Sequence, residues 1–165
     1  MTTDGAAARP YAVVDLDGVL ADVMGRLHHL EGPRKNWPAF FAGIPDDSPY
    51  PEGFAVAREL VADHELIYLS GRPEHTRVVS QEWLDRHSAP PARLLLRRNG
   101  DRRPARILKV ALLRRLQRER PVAVLVDDDP AVCRAAREAG FRVFEAAWGR
   151  RQATLFDAQE RLGQT

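Results

Sequence analysis

Short apolar segments alternate with helical patterns along most of the chain, and this alternation constrains the fold more than any other feature of the sequence. Five segments have the length and composition of β-strands, at residues 11–15, 65–69, 93–97, 122–127 and 141–145. The first and fourth are nearly continuous apolar runs, which are typical of strands covered on both faces of a parallel sheet. The pattern therefore predicts an α/β fold, a three-layer sandwich around a mainly parallel five-stranded sheet.

Amphipathic patterns with helical spacing connect the predicted strands. They cover residues 53–63, 75–87, 107–118 and 130–139. The last of them has Pro130 in its first turn and Gly140 after its end, a start-and-stop pair that helices favour. Helices that return the chain to the same end of a parallel sheet give a Rossmann-like arrangement. One further amphipathic helix is expected at residues 153–162.

A chain of 165 residues is long enough for one domain with a well-buried core. We expect a flexible N-terminal arm at residues 1–9, the domain at 10–149, and a C-terminal helix or tail at 150–165. Residues 26–52 separate the first strand from its expected helix, and they are rich in Pro and Gly. Connections of this length in a compact domain are usually functional or disordered. Because this one carries Trp37, Phe40 and Phe41, it predicts a small ordered cap insert over the end of the sheet.

Composition indicates which cellular compartment and which classes of partner to expect. The formal net charge of +2 creates no strong field that would favour nucleic acid or an anionic membrane. Cys133 is the only cysteine, which excludes an internal disulfide and is typical of a reducing cytosol. No apolar run approaches the ~20 residues needed to span a bilayer, and the N-terminus lacks the pattern of a secretion signal. We therefore expect a cytoplasmic protein with no membrane partner.

Two of the predicted strands end in aspartates. Asp15 and Asp17 follow the first strand, and Asp127, Asp128 and Asp129 follow the fourth. Ligands of parallel α/β sheets bind at the carboxyl ends of the strands, so these acids are expected at one edge of the sheet. Each cluster alone is equally typical of a polar turn before Gly or Pro. Two clusters after two buried strands favour a site for a divalent cation such as Mg²⁺, because crowded carboxylates otherwise repel one another.

The stretch LSGRP after the second predicted strand offers groups that bind phosphate. Ser70 supplies a hydroxyl, Gly71 a free backbone amide and Arg72 a guanidinium. Taken alone, the stretch is better interpreted as an ordinary turn between a strand and a helix. Lys109 lies early in the helix predicted at 107–118, where its ammonium could neutralise an anionic intermediate. A lone lysine on a helix is more often a solvated surface residue.

Taken in order, DLDGVL, LSGR, a helical lysine and VLVDD resemble the four motifs of the haloacid dehalogenase-like (HAD) phosphohydrolase superfamily. The resemblance implies that Asp15 is a nucleophile that forms a phospho-aspartate, and that Asp17 acts first as general acid and then as base. It also implies hydrolysis of phosphomonoesters, because members that lack the second aspartate tend to be dehalogenases, phosphonate hydrolases or pumps.

The resemblance also implies roles for the other residues of these motifs. They form three sets: Mg²⁺ ligands at Asp15, the backbone carbonyl of Asp17, Asp127 and Asp128; catalytic residues at Ser70 and Lys109; and phosphate-binding residues at Gly71 and Arg72.

A narrower resemblance concerns the insert and the segment before Lys109. Both are similar to the 3′-phosphatase domain of bacteriophage-type polynucleotide kinase–phosphatases. This family has an arginine about ten residues past the nucleophile that contacts the substrate phosphate, and Arg26 matches it. The family's acid four residues before the lysine is replaced by Ala105, a departure that bears on efficiency or substrate identity. The chain has no GxxxxGK[ST] motif, so a 5′-kinase activity in this chain is excluded.

The partners implied by this resemblance are a phosphomonoester substrate and, more narrowly, 3′-phosphorylated ends of nucleic acid. The arginine-rich residues 97–106 could grip a nucleic-acid backbone, or could equally form a solvated loop. For Trp37, Phe40 and Phe41, packing within the insert is favoured over stacking against bases. A 5′(3′)-nucleotidase is a second interpretation, since DLDGVLAD also resembles the opening of that group, and a non-catalytic binding module is a third.

Overall fold

The computed structural model describes residues 7–149 together with Leu155, Phe156, Ala158 and Glu160. The strands are β1 (Tyr11–Val14), β2 (Ala21–Asp22), β3 (Ser48–Pro49), β4 (Glu65–Pro73), β5 (Arg93–Arg97), β6 (Val122–Asp127) and β7 (Val143–Glu145). The α-helices are α1 (Trp37–Ala42), α2 (Pro51–Leu60), α3 (Arg77–Arg86), α4 (Ala105–Glu119) and α5 (Pro130–Glu138). Short 3₁₀ helices lie at Met24–Leu30, Ile44–Asp46 and Glu74–Thr76.

The main sheet has five strands in the order β5-β4-β1-β6-β7, and all of its pairings are parallel. Helices cover both faces, so the predicted three-layer α/β sandwich with a mainly parallel sheet is confirmed. The strands β1 and β6 are neighbours, in register at Val14 and Val126. Their carboxyl ends therefore open side by side, and the residues that follow β1 face the end of β6.

The nearly continuous apolar run of β1 is explained by two hydrophobic clusters, one on each face of the sheet. Ala12 and Val14 belong to a cluster with the insert and with α2 and α3, which contribute Phe54 and Trp83. The alternate residues of β1 belong to a cluster with α4 and α5. Because both faces of β1 are buried, its backbone is held rigidly up to the residue that precedes Asp15.

The boundaries differ most from those expected at β4 and β7. Strand β4 continues to Pro73, beyond the expected end at Leu69, and its pairing with β5 becomes irregular between these two residues. Ser70, Gly71 and Arg72 therefore lie within an extended, irregular part of the strand, whereas the sequence indicated a turn. Strand β7 begins at Val143, two residues later than expected, and is short.

Residues 26–52 form an ordered insert, as their aromatic content indicated. A 3₁₀ helix that begins at Met24, the six-residue α1, a second short 3₁₀ helix and β3 make up most of it, and β3 pairs antiparallel with β2, which lies before the insert. Phe40 and Phe41 are buried in the hydrophobic cluster that the insert shares with the sheet, as expected, whereas Trp37 is only partly buried. The insert therefore packs on the sheet through its own apolar side chains.

The described part of the tail consists of isolated positions. Leu155, Phe156, Ala158 and Glu160 have helical backbone, and Leu155 packs in the main cluster. The other residues of the helix expected at 153–162, and residues 1–6 of the expected arm, lie outside the described residues. No helix in the described part of the chain is both long and apolar enough to cross a membrane. The cytoplasmic location stays a prediction.

Helix α2 packs closely against the segment after β1 at Gly53. A Cβ atom at this position would lie 1.9 Å from the backbone oxygen of Val19 and 3.2 Å from Cδ2 of Leu20. We predict that Gly53→Ala lowers the free energy of unfolding by about 1–3 kcal/mol, the usual cost of overpacking a tight contact. Denaturant titration followed by circular dichroism measures this change.

The matched control for this variant is Gly25→Ala, because a Cβ there has no neighbour within 4 Å. A destabilisation by Gly25→Ala equal to that by Gly53→Ala would contradict the packing argument.

Candidate active site

The loop after β1 carries Asp15 and Asp17, and both carboxylates are almost fully buried. Oδ1 of Asp15 accepts a hydrogen bond from the backbone N–H of Leu16 at 2.8 Å, which fixes the side chain at the strand end. Gly18 follows with a φ of +82°, and a Cβ atom there would lie 1.9 Å from Oδ2 of Asp128. Glycine is therefore required for the turn and also for the contact between the ends of β1 and β6.

The side chain of Lys109 joins the two strand ends. It projects from α4 and is only 2% exposed, so it is not the solvated surface residue that a lone helical lysine usually is. Its Nζ lies 3.0 Å from Oδ2 of Asp15 and 2.7 Å from Oδ2 of Asp127. Burial alone would lower the pKa of Lys109, but the carboxylates of Asp127 and Asp15 outweigh it and raise that pKa above its usual range. Lys109 is therefore a fixed positive charge.

Three carboxylates, from Asp15, Asp127 and Asp128, form what we call the acid cluster. One oxygen from each lies within 4.8 Å of the others. Burial and the charge of Asp127 raise the pKa values of Asp15 and Asp128 well above the ordinary value for an aspartate, although the charge of Lys109 opposes the shift. One ammonium thus does not balance the cluster, and an additional cation would. Oxygen ligands at this spacing suit a hard divalent ion such as Mg²⁺.

The carboxylate of Asp17 is directed away from this cluster, toward a pair of buried arginines. Arg72 donates from Nε at 3.0 Å and from Nη2 at 2.5 Å, and Arg26 donates from Nη2 at 3.2 Å. Burial would raise the pKa of Asp17, but Arg72 and Arg26 together hold it below its ordinary value. Among its polar groups, only the backbone carbonyl of Asp17 was expected as a metal ligand, and that role stays a prediction.

Ser70 and Gly71 accept hydrogen bonds that the sequence did not indicate. The hydroxyl oxygen of Ser70 accepts a hydrogen bond from the backbone N–H of Arg72 at 3.2 Å. The carbonyl of Gly71 accepts a hydrogen bond from Nε of Arg97 at 3.1 Å. The backbone amide of Arg72 is therefore already satisfied, so the expected cradle of free amides is smaller than the sequence indicated. The irregular strand instead fixes the direction of the Arg72 guanidinium.

Asp47, at the end of the insert, is a site residue that the sequence did not reveal. Its two carboxylate oxygens accept from Nε and Nη2 of Arg26, each at 2.8 Å, and Oδ2 lies 3.4 Å from Nη2 of Arg72. The backbone carbonyl of Asp47 accepts from the indole N–H of Trp83 at 2.9 Å. Asp47 thus holds both arginines in place, and no motif marks it, because it stands in a polar turn like many others.

Two further polar residues near the site have structural roles. Asp129 caps α5, because its carboxylate accepts from the backbone N–H of Ala131 at 2.9 Å. Nη1 of Arg72 donates to Oγ of Ser80 on α3 at 2.9 Å, so α3 also fixes this guanidinium. Ala105 is buried at the start of α4, where the resembling family has an acid. Lys109 is held without that acid, by Asp15 and Asp127.

Residues 10–150 match the family described as the polynucleotide kinase PNKP phosphatase domain. The chain belongs to this family. It is thus a phosphatase domain of the HAD type, which confirms the resemblance seen in the motifs. None of the curated proteins matches the chain at a significant level.

Solved structures agree with this assignment in their fold. The phosphatase domain is similar to a chain of the Pnkp1/Rnl/Hen1 RNA repair complex, with 26% identity and a TM-score of 0.69 over 87% of this chain and 44% of that one. A second structure of a Pnkp1/Rnl/Hen1 complex gives 24% identity and a TM-score of 0.68, over 88% of this chain and 48% of that one. The match therefore covers less than half the length of each of these relatives.

More distant HAD enzymes share the fold over nearly their whole length. A haloacid dehalogenase-like hydrolase from Streptococcus pneumoniae has 16% identity and a TM-score of 0.59, covering 93% of this chain and 92% of that one. A HAD family enzyme from Bacteroides thetaiotaomicron, solved in complex with magnesium and inorganic phosphate, has 11% identity and a TM-score of 0.52, covering 90% of this chain and 100% of that one.

The charge imbalance of the acid cluster predicts that Mg²⁺ stabilises the folded protein. At a free concentration 100 times the dissociation constant, one bound ion adds about 2.7 kcal/mol to the free energy of unfolding. For a chain of this size the corresponding rise in Tm is roughly 5–10 °C. We predict that Asp128→Asn loses most of this rise, which differential scanning calorimetry with and without MgCl₂ measures.

Asp63→Asn serves as the control, because Asp63 is an exposed acid beyond the end of α2. This variant should keep the full rise in Tm. An equal rise in the Asp128→Asn protein would show that Mg²⁺ acts elsewhere on the surface.

Proposed function

We propose that the phosphatase domain hydrolyses 3′-phosphate ends of nucleic acids in a Mg²⁺-dependent reaction that passes through a phosphorylated Asp15. The observation that carries the proposal is that two neighbouring carboxylates have different partners. Asp15 lies in the acid cluster beside Lys109, whereas Asp17, two residues later, lies against the two arginines. The two acids thus have different charge environments, as a nucleophile and a proton-transfer group require.

In the first step a carboxylate oxygen of Asp15 attacks phosphorus, and the bond between phosphorus and the 3′-oxygen breaks. The leaving oxygen takes its proton from Asp17. The acid cluster and the backbone carbonyl of Asp17 would hold Mg²⁺, which supplies positive charge against the phosphate oxygens when bound. Lys109, fixed by Asp15 and Asp127, keeps its ammonium at the attacked group and stabilises the negative charge there.

The arginine pair would couple phosphate binding to the protonation of Asp17. Before substrate arrives, Arg72 and Arg26 bind the Asp17 carboxylate and keep it ionised. A phosphate dianion that accepts hydrogen bonds from these guanidiniums takes them from Asp17, since each N–H donates to one acceptor well. Once these contacts are lost, burial dominates at Asp17 and favours the protonated form that the first step needs.

In the second step Asp17 takes a proton from a water molecule, whose oxygen attacks phosphorus. The bond between phosphorus and Asp15 breaks, inorganic phosphate leaves, and the Asp15 carboxylate is regenerated. The arginines return to Asp17 when the phosphate departs and lower its pKa, so Asp17 releases to solvent the proton that it took from water and is again ionised.

The choice of nucleic-acid ends as substrate rests on the family and on Arg26. The domain belongs to the family of polynucleotide kinase phosphatase domains, and two similar structures come from Pnkp1/Rnl/Hen1 complexes, one of them described as an RNA repair complex. The buried guanidinium of Arg26 is held at Asp17 by Asp47. The resemblance of the sequence to this family assigns Arg26 to contact with the substrate phosphate. A 5′(3′)-nucleotidase remains the second candidate, and the substrate comparison below separates the two.

We predict that Asp15→Asn abolishes Mg²⁺-dependent hydrolysis of p-nitrophenyl phosphate, because an amide oxygen is too weak a nucleophile. Acid-quenched wild-type protein mixed with a ³²P-labelled 3′-phosphorylated oligonucleotide should carry protein-bound phosphate, and the variant should carry none. Asp63→Asn should behave like wild type in both assays. Undiminished turnover by a folded Asp15→Asn protein would remove Asp15 as the nucleophile.

We predict that Arg26→Lys lowers kcat/KM for a 3′-phosphorylated oligonucleotide about 100-fold, the usual effect of losing one preorganised donor to the transition state. Lysine keeps the charge beside Asp17 and Asp47 but cannot form the paired contact of the guanidinium. Rates on a 3′-phosphorylated oligonucleotide, a 3′-nucleotide, a 5′-nucleotide and a sugar phosphate should be highest for the oligonucleotide.

Arg34→Lys is the matched control, because Arg34 is an exposed arginine of the same insert. It should keep the wild-type rates. A wild-type protein that prefers either mononucleotide over the oligonucleotide would instead support the nucleotidase assignment.

A further inference from the structure

A groove of about 350 Å³ lies between the insert and the arginine-rich segment that follows β5. We call it the aromatic groove, and its lining includes Trp37, Phe41, Pro73, His75, Arg97 and Arg98. Its volume is at the lower end of the roughly 300–1,000 Å³ that is usual for small-ligand sites. It is separate from the acid cluster, and no residue of the catalytic mechanism lines it.

The wall of the groove on the insert side is built from stacked rings. Trp37 stacks on Phe41 with the ring centres 5.7 Å apart and the planes at 25°, and His75 meets Phe41 edge-on at 5.4 Å. Phe41 is buried, whereas Trp37 is only partly buried. The sequence favoured packing for all three aromatics of the insert, and all three pack, since Phe40 and Phe41 are buried and Trp37 packs against the same cluster. Trp37 is only partly buried and lines the groove, where its remaining ring surface is open to a flat, unsaturated ligand.

The opposite wall carries three arginines and one acid, Asp101, which pairs with Arg103. Arg97 is only 2% exposed, and its Nη1 donates to the backbone carbonyl of Arg103 at 2.6 Å. Its Nη2 is buried and has no hydrogen-bond partner among the described residues. A buried guanidinium N–H without an acceptor is costly, so an acceptor supplied by a ligand would be stabilising. Arg98 and Arg102 also line the groove, and both are exposed.

The groove adjoins the two segments that carry the arginine pair of the active site. Pro73 follows Arg72 in β4 and lines the groove, while Arg97 donates to the carbonyl of Gly71 at 3.1 Å. On the insert side, the guanidinium of Arg26 lies 4.1 Å from the ring centre of Phe40, the residue next to Phe41. The groove therefore begins where the two arginines that would bind phosphate are anchored.

We propose that the aromatic groove binds an unpaired nucleotide next to the 3′-terminal phosphate, with its base stacked on Trp37 and its backbone near Arg97 and Arg98. The inference rests on the proposed function, because the phosphate at the active site sets which part of the strand reaches the groove. Aromatic surface beside arginines is the combination that binds single-stranded nucleic acid. The domain would then require a single-stranded 3′ end, since a paired base cannot stack in the groove.

The first experiment measures binding without catalysis. Single-stranded hexathymidylate with a 3′-hydroxyl is titrated into wild-type protein while tryptophan fluorescence is followed. Stacking of thymine on Trp37 should quench part of the emission. In Trp37→Phe this quenching should vanish although the strand still binds, because Trp83 is buried and Trp148 lies outside the groove. Quenching that persists in Trp37→Phe would overturn the proposal.

The second experiment measures affinity by anisotropy of a labelled hexathymidylate. Loss of one stacked base should weaken binding by about tenfold in Trp37→Ala, and an abasic strand should bind wild type about as weakly. Arg114→Ala is the control, because Arg114 is exposed on α4 and does not line the groove. It should leave the affinity within about twofold. Equal affinity in wild type and Trp37→Ala, or no binding of the strand, would overturn the proposal.

Assays with phosphorylated strands distinguish failure of this inference from failure of the proposed function. Base-dependent binding without hydrolysis of a 3′-phosphate would retain the groove and reject the 3′-phosphatase. Hydrolysis whose KM is unchanged by Trp37→Ala and by an abasic 3′-terminal nucleoside would retain the phosphatase and reject the groove. Thermal melting of Trp37→Ala and Trp37→Phe confirms that both variants are folded under the assay conditions.

Discussion

Burial of carboxylates at the ends of two parallel strands is the constraint on which the rest of the structure depends. An unpaired buried carboxylate costs several kcal/mol, so each one must meet a positive charge or a proton. The chain meets this demand with residues from distant segments: Lys109 on α4 pairs with Asp15 and Asp127, and two arginines pair with Asp17. The elements that bring these cations to the sheet edge are therefore also the elements that build the active site.

The two groups of charge differ in balance, and this difference gives them different chemistry. The acid cluster has more negative charge than Lys109 neutralises, which leaves room for a divalent cation. Around Asp17 the charges are matched, because Arg26 and Arg72 face the carboxylates of Asp17 and Asp47, and the arginines hold Asp17 ionised. An arrangement optimised for stability alone would neutralise both groups within the protein. The uncompensated negative charge of the acid cluster instead leaves a site where a cationic ligand completes the electrostatics.

The parts of the structure that the sequence predicted are those dictated by backbone topology. Buried strands followed by acids place Asp15 and Asp127 at the same edge, because parallel neighbouring strands end together. The sequence did not predict the extension of β4 through Arg72, since Ser, Gly and Pro are typical turn residues. Nor did it identify Asp47 or the burial of Arg97. Their partners are set by side-chain packing in irregular segments, which have no periodic pattern to reveal it.

In the arginine-rich segment after β5, the number of arginines overstates the charge that is free to bind a ligand, because several of them are buried or paired. Residues 97–106 contain five arginines, but Arg97 is buried, Arg103 pairs with Asp101 and Arg106 pairs with Glu160. Of these five arginines, only Arg98 and Arg102 are exposed and have no ion pair among the described residues. Release of counterions from a single strand scales with the number of phosphates neutralised, with a slope of about −0.7 for each. This segment would therefore contribute only modest ionic-strength dependence, and a strand held there would tolerate physiological salt.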